Sequence, residues 1–245
     1  EQSLRDKTHG QHDLFGMLPA KTDSISYVKT REWSEHDRLF GEKETLGLYL
    51  TGHPIHRYLS ELENFTSDRI SELRPTGKNA TSTVAGIITS MRVIQTKRGD
   101  RMAVATMDDS SGQIDVLCFS DIFNQSRELL VKDALIIVVG EISLDEFSGN
   151  HRVICREIFS IDEARNRHAT CLKILLPENK SDDIGKLAQL LEKYRGGQCR
   201  VTIDFASTTA KGNLHLGERW RVRPTEMLLQ SLREITVENG VEIVY

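Results

Sequence analysis

The side chains in this sequence that could carry chemistry are paired carboxylates, two closely spaced histidines, scattered cysteines and one cluster of cations. Phosphoryl or nucleotidyl transfer needs carboxylates placed to hold two metal ions. The adjacent pairs Asp108-Asp109 and Asp182-Asp183 have plainer explanations. The first lies where a strand runs into a turn. The second opens a helix, where negative charge suits the helix dipole. His53 and His56 could face one ion, but no third ligand stands near them, so a turn histidine and a helix-surface histidine are expected. Cys118, Cys155, Cys171 and Cys199 form no C-x-x-C pair, and most lie inside apolar strand patterns. They are expected as buried, reduced thiols. No Walker loop, G-x-S-x-G elbow or H-E-x-x-H helix occurs. No metal or cofactor site and no catalytic constellation is therefore expected in this chain.

The cations are more informative. Arg92, Lys97, Arg98 and Arg101 crowd into ten residues opposed only by Asp100. Such a patch can bind phosphates locally although the chain carries a net charge of −4. The elements that must position it run from residue 82 to residue 161. Apolar stretches at 84–95, 102–107, 114–119, 135–144 and 153–161 read as strands. They are separated by Lys97-Arg98-Gly99-Asp100, by Asp109-Ser110-Ser111-Gly112 and by Phe147-Ser148-Gly149-Asn150, all turn chemistry. Before the fourth strand, Ser120 reads as an N-cap of a helix whose apolar face is Ile122, Phe123, Leu129 and Leu130. The order β-β-β-α-β-β is that of an OB-fold, whose loop between strands one and two borders an oligonucleotide-binding face. The cations occupy that loop. Phe119, Phe147 and Phe159 are candidate stacking platforms. With so few aromatics, weak and sequence-tolerant single-strand contact is expected. The same barrel could instead be a protein-docking or spacing module that never touches DNA.

The flanks are different. Residues 1–35 read as a mobile arm with few apolar positions. Its exception is Gln11-His12-Asp13-Leu14-Phe15-Gly16-Met17-Leu18, an apolar plug suited to docking in a partner's pockets or to tethering the arm to its own domain. Residues 36–63 read as helical, with an apolar surface from Leu39, Phe40, Leu46, Leu48, Tyr49 and Leu50, and a break at Thr51-Gly52-His53-Pro54. Thr76-Gly77-Lys78-Asn79 reads as the linker into the barrel, and 161–167 as the exit from it. The expected units are thus 1–35, 36–77, 78–163 and 164–245.

In the last unit, strands at 171–176, 201–205, 214–222 and 241–245 alternate with helices. Ser181 and Thr225 cap the two helices, and Gly196-Gly197 stops the first. The order βαββαβ suggests a ferredoxin-like arrangement or a variant of it. Trp220, between Arg219 and Arg221, is expected on a strand, either as core or as an interface anchor. Overall this is a multidomain α+β chain. At 245 residues, 38% hydrophobic and 28% charged, it has the composition of a soluble globular protein. No stretch approaches the ~20 apolar residues of a membrane span. The chain lacks an initiator Met and a signal-peptide pattern, so a piece of a longer cytoplasmic chain is expected.

Several of these motifs resemble one family. Glu44-Thr45-Leu46-Gly47-Leu48-Tyr49-Leu50-Thr51-Gly52-His53-Pro54 is similar to the run that ends the clamp-binding region in α subunits of bacterial DNA polymerase III, the C-family replicative polymerases. Thr96-Lys97-Arg98-Gly99 and Asp108-Asp109-Ser110-Ser111-Gly112 resemble that family's OB domain, and Trp220-Arg221-Val222 its C-terminal domain. The resemblance implies that Gln11, Asp13, Leu14 and Phe15 dock in the sliding clamp. It implies that the barrel contacts single-stranded template through Arg92, Lys97, Arg98 and Arg101. It further implies that the last domain binds the clamp-loader τ subunit, with Trp220 and Arg221 as candidates, at the bacterial replisome. Polymerase activity, with its magnesium and deoxynucleotides, would belong to the intact chain, whose catalytic carboxylates lie upstream.

Overall fold

The structure is a computed structural model that describes residues 30, 32–75, 80–96, 99–145, 149–177, 184–206, 211–237 and 239–245. The apolar plug at 11–18, the linker at 76–79, Lys97, Arg98, Phe147, Ser181, Asp182 and Asp183 lie outside the described residues.

The barrel is built from β1 (Ser82–Gln95), β2 (Arg101–Asp108), β3 (Gln113–Cys118), β4 (Leu135–Leu144) and β5 (His151–Ser160). It closes in the order β1-β2-β3-β5-β4. All neighbouring pairs are antiparallel except β3 with β5, where Asp115, Val116 and Leu117 face Arg152, Val153 and Ile154 in parallel register. This is the OB-fold that the order of elements implied. Period-two alternation fills the interior: Ile114, Val116 and Cys118 of β3 are buried, while Asp115 and Leu117 between them are half-exposed. β1 departs from alternation. Its first half is buried on both faces, and after a register shift at Ile88/Ser90 its second half is exposed. The double burial has a cause: Ile55, Tyr58 and Leu62 cover the outside of β1 and β4, packing against Ala85, Ile87 and Ile137. At a second register shift, in β4, Gly140 is obligatory, because a Cβ there would sit 2.5 Å from the Ile154 carbonyl oxygen.

The helical segment before the barrel consists of α1 (Glu35–Leu46), a 3-10 turn (Pro54–Tyr58) and α2 (Leu59–Leu62). The helix stops earlier than the expected break at Thr51-Gly52. Gly47 takes the left-handed conformation, φ 76°, and its N–H donates to the Lys43 carbonyl. Pro54 does open the next turn, as its fixed φ and missing N–H favour. Inside the barrel sequence, α3 (Ser120–Gln125) begins at Ser120 but is capped by no side chain; the N-cap position is Phe119. Leu129 and Leu130 lie beyond the helix, yet still pack into the barrel core.

The barrel does not exit into a simple connector. Ser160 starts α4 (Ile161–His168) through a reciprocal capping box with Glu163. Sequence reading missed this helix because Asp162, Glu163, Arg165, Asn166 and Arg167 leave almost no apolar stripe. Its Arg165 is nevertheless buried.

The last unit contains β6 (Cys171–Pro177), α5 (Ile184–Lys193), β7 (Arg195–Ala206), β8 (Lys211–His215), a 3-10 turn (Glu218–Trp220), α6 (Glu226–Ile235) and β9 (Val241–Val244). The βαββαβ order stands, but the sheet order is β8-β7-β6-β9. β6 and β7 are direct parallel neighbours joined through α5. In the ferredoxin-like arrangement another strand separates that pair, so this is a variant. The expected strand at 214–222 is also corrected: it ends at His215, and Trp220 closes a 3-10 turn instead of alternating along a strand. Val222 then bridges to Arg195 and Cys199.

Candidate nucleic-acid interface

The loop from Leu48 to His53 is closed by Glu42, whose carboxylate accepts from the Leu50 and Thr51 N–H groups at 2.7 and 3.1 Å and from the Thr51 hydroxyl at 2.7 Å. These bonds hold the Glu42 carboxyl below its ordinary pKa. His53 then caps the following turn: its Nδ1 accepts from the Ile55 N–H at 3.3 Å. Its Nε2 stands 3.6 Å from the Asp108 carboxylate. His56 Nε2 lies 3.2 Å from the Ser110 hydroxyl. The histidines are thus turn and surface residues that meet the barrel's second turn. Among the described residues, no group of three or more His, Cys, Asp or Glu side chains is placed to hold a metal ion.

That second turn is itself a clasp. Asp109, buried, accepts from the Ile70 N–H at 2.9 Å, from the Ser111 N–H at 2.8 Å, from the Gly112 N–H at 3.1 Å and from Arg69 Nε at 3.1 Å. Burial alone would raise its pKa, but these bonds and the Ser111 hydroxyl outweigh it and hold the carboxyl low. The turn at 108–112 thus seats the helical segment on the barrel mainly through Arg69 and Ile70, and the run at 44–54 reaches it through His53. Asp108-Asp109 is consumed by structure, as its position in a turn suggested.

The face available to a ligand lies elsewhere on the barrel. A polar cleft of about 670 Å³ is lined by Arg92, Thr106, Gln113, Asp115, His151 and Arg152 among others. Arg92 pairs with Val104, and Gln95 with Arg101. Period two places Arg92 on the cleft side of the β1–β2 ribbon and Arg101 on the opposite side. Both are exposed. The ribbon also exposes Met91, Val93 and Ile94, which the sequence pattern had grouped with the apolar run. Among the aromatic candidates, Phe159 is core, with the Arg167 guanidinium 4.6 Å over its ring, and is closed to a base. Phe119 is exposed but does not line the cleft.

Gln113, Asp115, Asn150, His151 and Arg152 were not selected from the sequence. A signal existed for part of this set: in Gln113-Ile114-Asp115-Val116-Leu117 the polar residues share one face of a strand. That β5 lies beside β3, bringing Arg152 opposite Asp115, follows only from the barrel's closure.

In the last unit Trp220 is half-buried against the core. The guanidinium groups of Arg195 and Arg219 lie 5.4 and 5.8 Å from its ring centroid. Arg221 pairs with Glu218 at 2.9 Å. Trp220 is thus part core and part exposed basic cluster. The thiols of Cys118, Cys155 and Cys199 are buried and Cys171 is half-buried, all of them free; burial pushes the Cys199 thiol up to about 12.

Comparison with known proteins places this geometry. A family model described as DNA polymerase III subunit alpha, C-terminal domain, matches residues 186–236, and one described as OB-fold nucleic acid binding domain matches residues 82–161. Over its whole length the chain is 40% identical to DNA polymerase III subunit alpha of Pasteurella multocida, covering 22% of that protein. It is 42% identical to the Pseudomonas aeruginosa subunit, covering 21% of it. The chain belongs to the DNA polymerase III α subunit family and corresponds to its C-terminal region. It spans about a fifth of the length of these polymerase subunits. Among solved structures, the mitochondrial single-stranded DNA binding protein Rim1 of S. cerevisiae matches 34% of this chain and 95% of its own, at 16% identity and a TM-score of 0.29. RecG bound to a three-way DNA junction matches 48% of this chain and 16% of its own, at 17% identity and a TM-score of 0.31. At those scores neither likeness bears on the ligand. The two resemblance motifs thus have a structural explanation in the contact between the helical segment and the barrel, and the polar cleft beside Arg92 lies outside that contact. No helix among the described residues is long and apolar enough to cross a membrane.

Proposed function

We propose that this chain is the non-catalytic, processivity-supporting end of a replicative DNA polymerase α subunit, and that its barrel contacts the single-stranded template. The observation that carries the reading is the polar cleft of the barrel, bordered by Arg92 and by the exposed β1–β2 ribbon that leads to Lys97 and Arg98. Nucleotidyl transfer and its magnesium are assigned to the part of the polymerase that this chain does not cover. Gln11, Asp13, Leu14 and Phe15 are the proposed docking peptide for the sliding clamp. The cluster of Trp220, Arg195, Arg219 and Arg221 is the proposed contact for the clamp-loader τ subunit. A weak barrel–DNA contact suits a moving enzyme, because the clamp sustains it through effective concentration.

The test is fluorescence anisotropy of a labelled single-stranded oligonucleotide at several salt concentrations, with the chain and with R92A/K97A/R98A/R101A. At roughly 0.7 in logarithmic salt slope per phosphate contact on a single strand, loss of the contacts at Arg92, Lys97 and Arg98 lowers the slope by about 2, and by about 3 where the strand also reaches Arg101 on the other side of the ribbon. Salt-sensitive binding that the variant loses supports the contact. The exposed Met91, Val93 and Ile94 favour the other reading, a protein-docking ribbon. Absence of binding at low salt and high micromolar chain would overturn the DNA contact and favour that reading.

A further inference from the structure

The cleft beside Arg92 has a chemistry unlike a phosphate track. Its floor holds a carboxylate. The Ser90 hydroxyl donates to Thr106 Oγ1 at 3.0 Å, and Thr106 donates to Asp115 Oδ1 at 2.8 Å. This relay orients Asp115 before any ligand arrives. The second oxygen of Asp115 accepts no hydrogen bond among the described residues. Opposite it in register stands Arg152, which is oriented by Asp145 at 2.8 Å and by the Ser143 hydroxyl at 3.3 Å. Gln113 lines the same cleft and is steadied by Asp108 at 3.0 Å. A pre-oriented acceptor beside fixed donors would repel a phosphate at Asp115, but it complements the edge of a nucleobase.

We infer that this cleft is a base subsite that takes an unstacked, amino-bearing nucleobase, with Asp115 accepting from its exocyclic amine and Arg152 and Gln113 donating to its ring acceptors. The inference rests on the reading of the barrel as a single-strand contact. The backbone then runs along the rim at Arg92, outside the cleft, and the base points inward. Cytosine fits this order of donor and acceptors, since carboxylates accept from its N4 amine. Thymine does not: its only edge donor, the imide N–H, lies between two carbonyl oxygens whose lone pairs oppose a carboxylate.

The experiment uses the whole 245-residue chain with labelled dC and dT homopolymers of equal length, read by anisotropy at fixed low salt and then across a salt series. The wild type is expected to prefer the dC strand by about fivefold, one hydrogen bond's worth of discrimination. D115N keeps an acceptor for Thr106 but adds a donor that serves thymine, so the preference is expected to fall below twofold with the salt slope unchanged. T106V, which frees Asp115 without altering its charge, is expected to give an intermediate preference. Equal wild-type affinity for both strands, or a preference that survives in D115N, overturns the base subsite while leaving the phosphate contact standing. Failure to bind either strand overturns both readings together.

Discussion

Replacing Arg165 by Met should loosen the junction between three parts of this chain. The guanidinium is 2% exposed. Its Nε and Nη2 donate to the two oxygens of Glu61 at 2.5 and 2.8 Å, and its Nη1 donates to Glu226 at 2.7 Å and to Asp162 at 3.3 Å. Glu61 belongs to the helical segment, Asp162 to the helix leaving the barrel and Glu226 to the last unit. Tyr245 adds its hydroxyl to Glu61. Burial would by itself lower the Arg165 pKa, but Glu61 and then Glu226 raise it above the ordinary value, so the charge is held at every accessible pH. Met matches the stem but leaves the carboxylates facing one another. Glu61, 16% exposed, cannot rehydrate freely, whereas Glu226 and Asp162, 34% and 39% exposed, largely can. The cost therefore belongs at the lower end of the range for breaking a buried pair, about 3 kcal/mol. At this chain length that lowers Tm by roughly 6–12 °C. Arg165→Lys keeps the charge but cannot fork to two carboxylates, and should cost about 1.5 kcal/mol. Urea unfolding followed by circular dichroism and by tryptophan fluorescence measures both. A loss under 1 kcal/mol for R165M would refute the claim that this arginine holds the junction.

Two further outcomes follow from close packing and from titration. Gly197→Ala should cost about 3 kcal/mol or more, because its Cβ would stand 2.0 Å from the Val222 carbonyl oxygen, whereas Gly185→Ala, with nothing within 4 Å, should be neutral or stabilise by about 0.5 kcal/mol; thermal melts of the pair check this. Burial lowers the His53 pKa below 6.5 despite Asp108 nearby, so the folded state binds a proton less readily than the unfolded state. Stability is then complete above about pH 6.5 and falls as the pH drops through that value towards the lower folded pKa. Asp109, held low, keeps its contribution down to about pH 4 and loses it below. His53→Asn retains an N-cap acceptor and should flatten the loss of stability between pH 7.5 and 5.5; an unchanged pH profile would contradict this.

Sequence alone determined the elements whose signals are local. Five barrel strands with one helix between the third and fourth were legible from period-two alternation and turn residues. Pro54 opened its turn as expected, and Thr225 capped its helix by accepting from the Leu228 N–H. The same local logic failed where tertiary contact overrides it. Ile161–His168 is a helix without an apolar stripe, held by its capping box and by ion pairs to distant carboxylates. Trp220 sits in a 3-10 turn because Val222 must bridge to Arg195 and Cys199, not extend β8.

The site divided in the same way. The cations of the first hairpin fall within ten residues of sequence, so local composition revealed them. Their sidedness did not follow: only the β1–β2 register puts Arg92 toward the cleft and Arg101 away from it. The two resemblance motifs, 44–54 and 108–112, are conspicuous in sequence, yet that they meet appears only when residues more than fifty positions apart come together, as His53 and Asp108 do. The cleft's acceptor and donor, Asp115 and Arg152, come from strands that never adjoin in sequence and are paired by closure of the barrel. Local propensity and hydrophobic period are properties of a short window, whereas which polar groups converge is set by strand order and register, and those are decided by the packing of the whole chain.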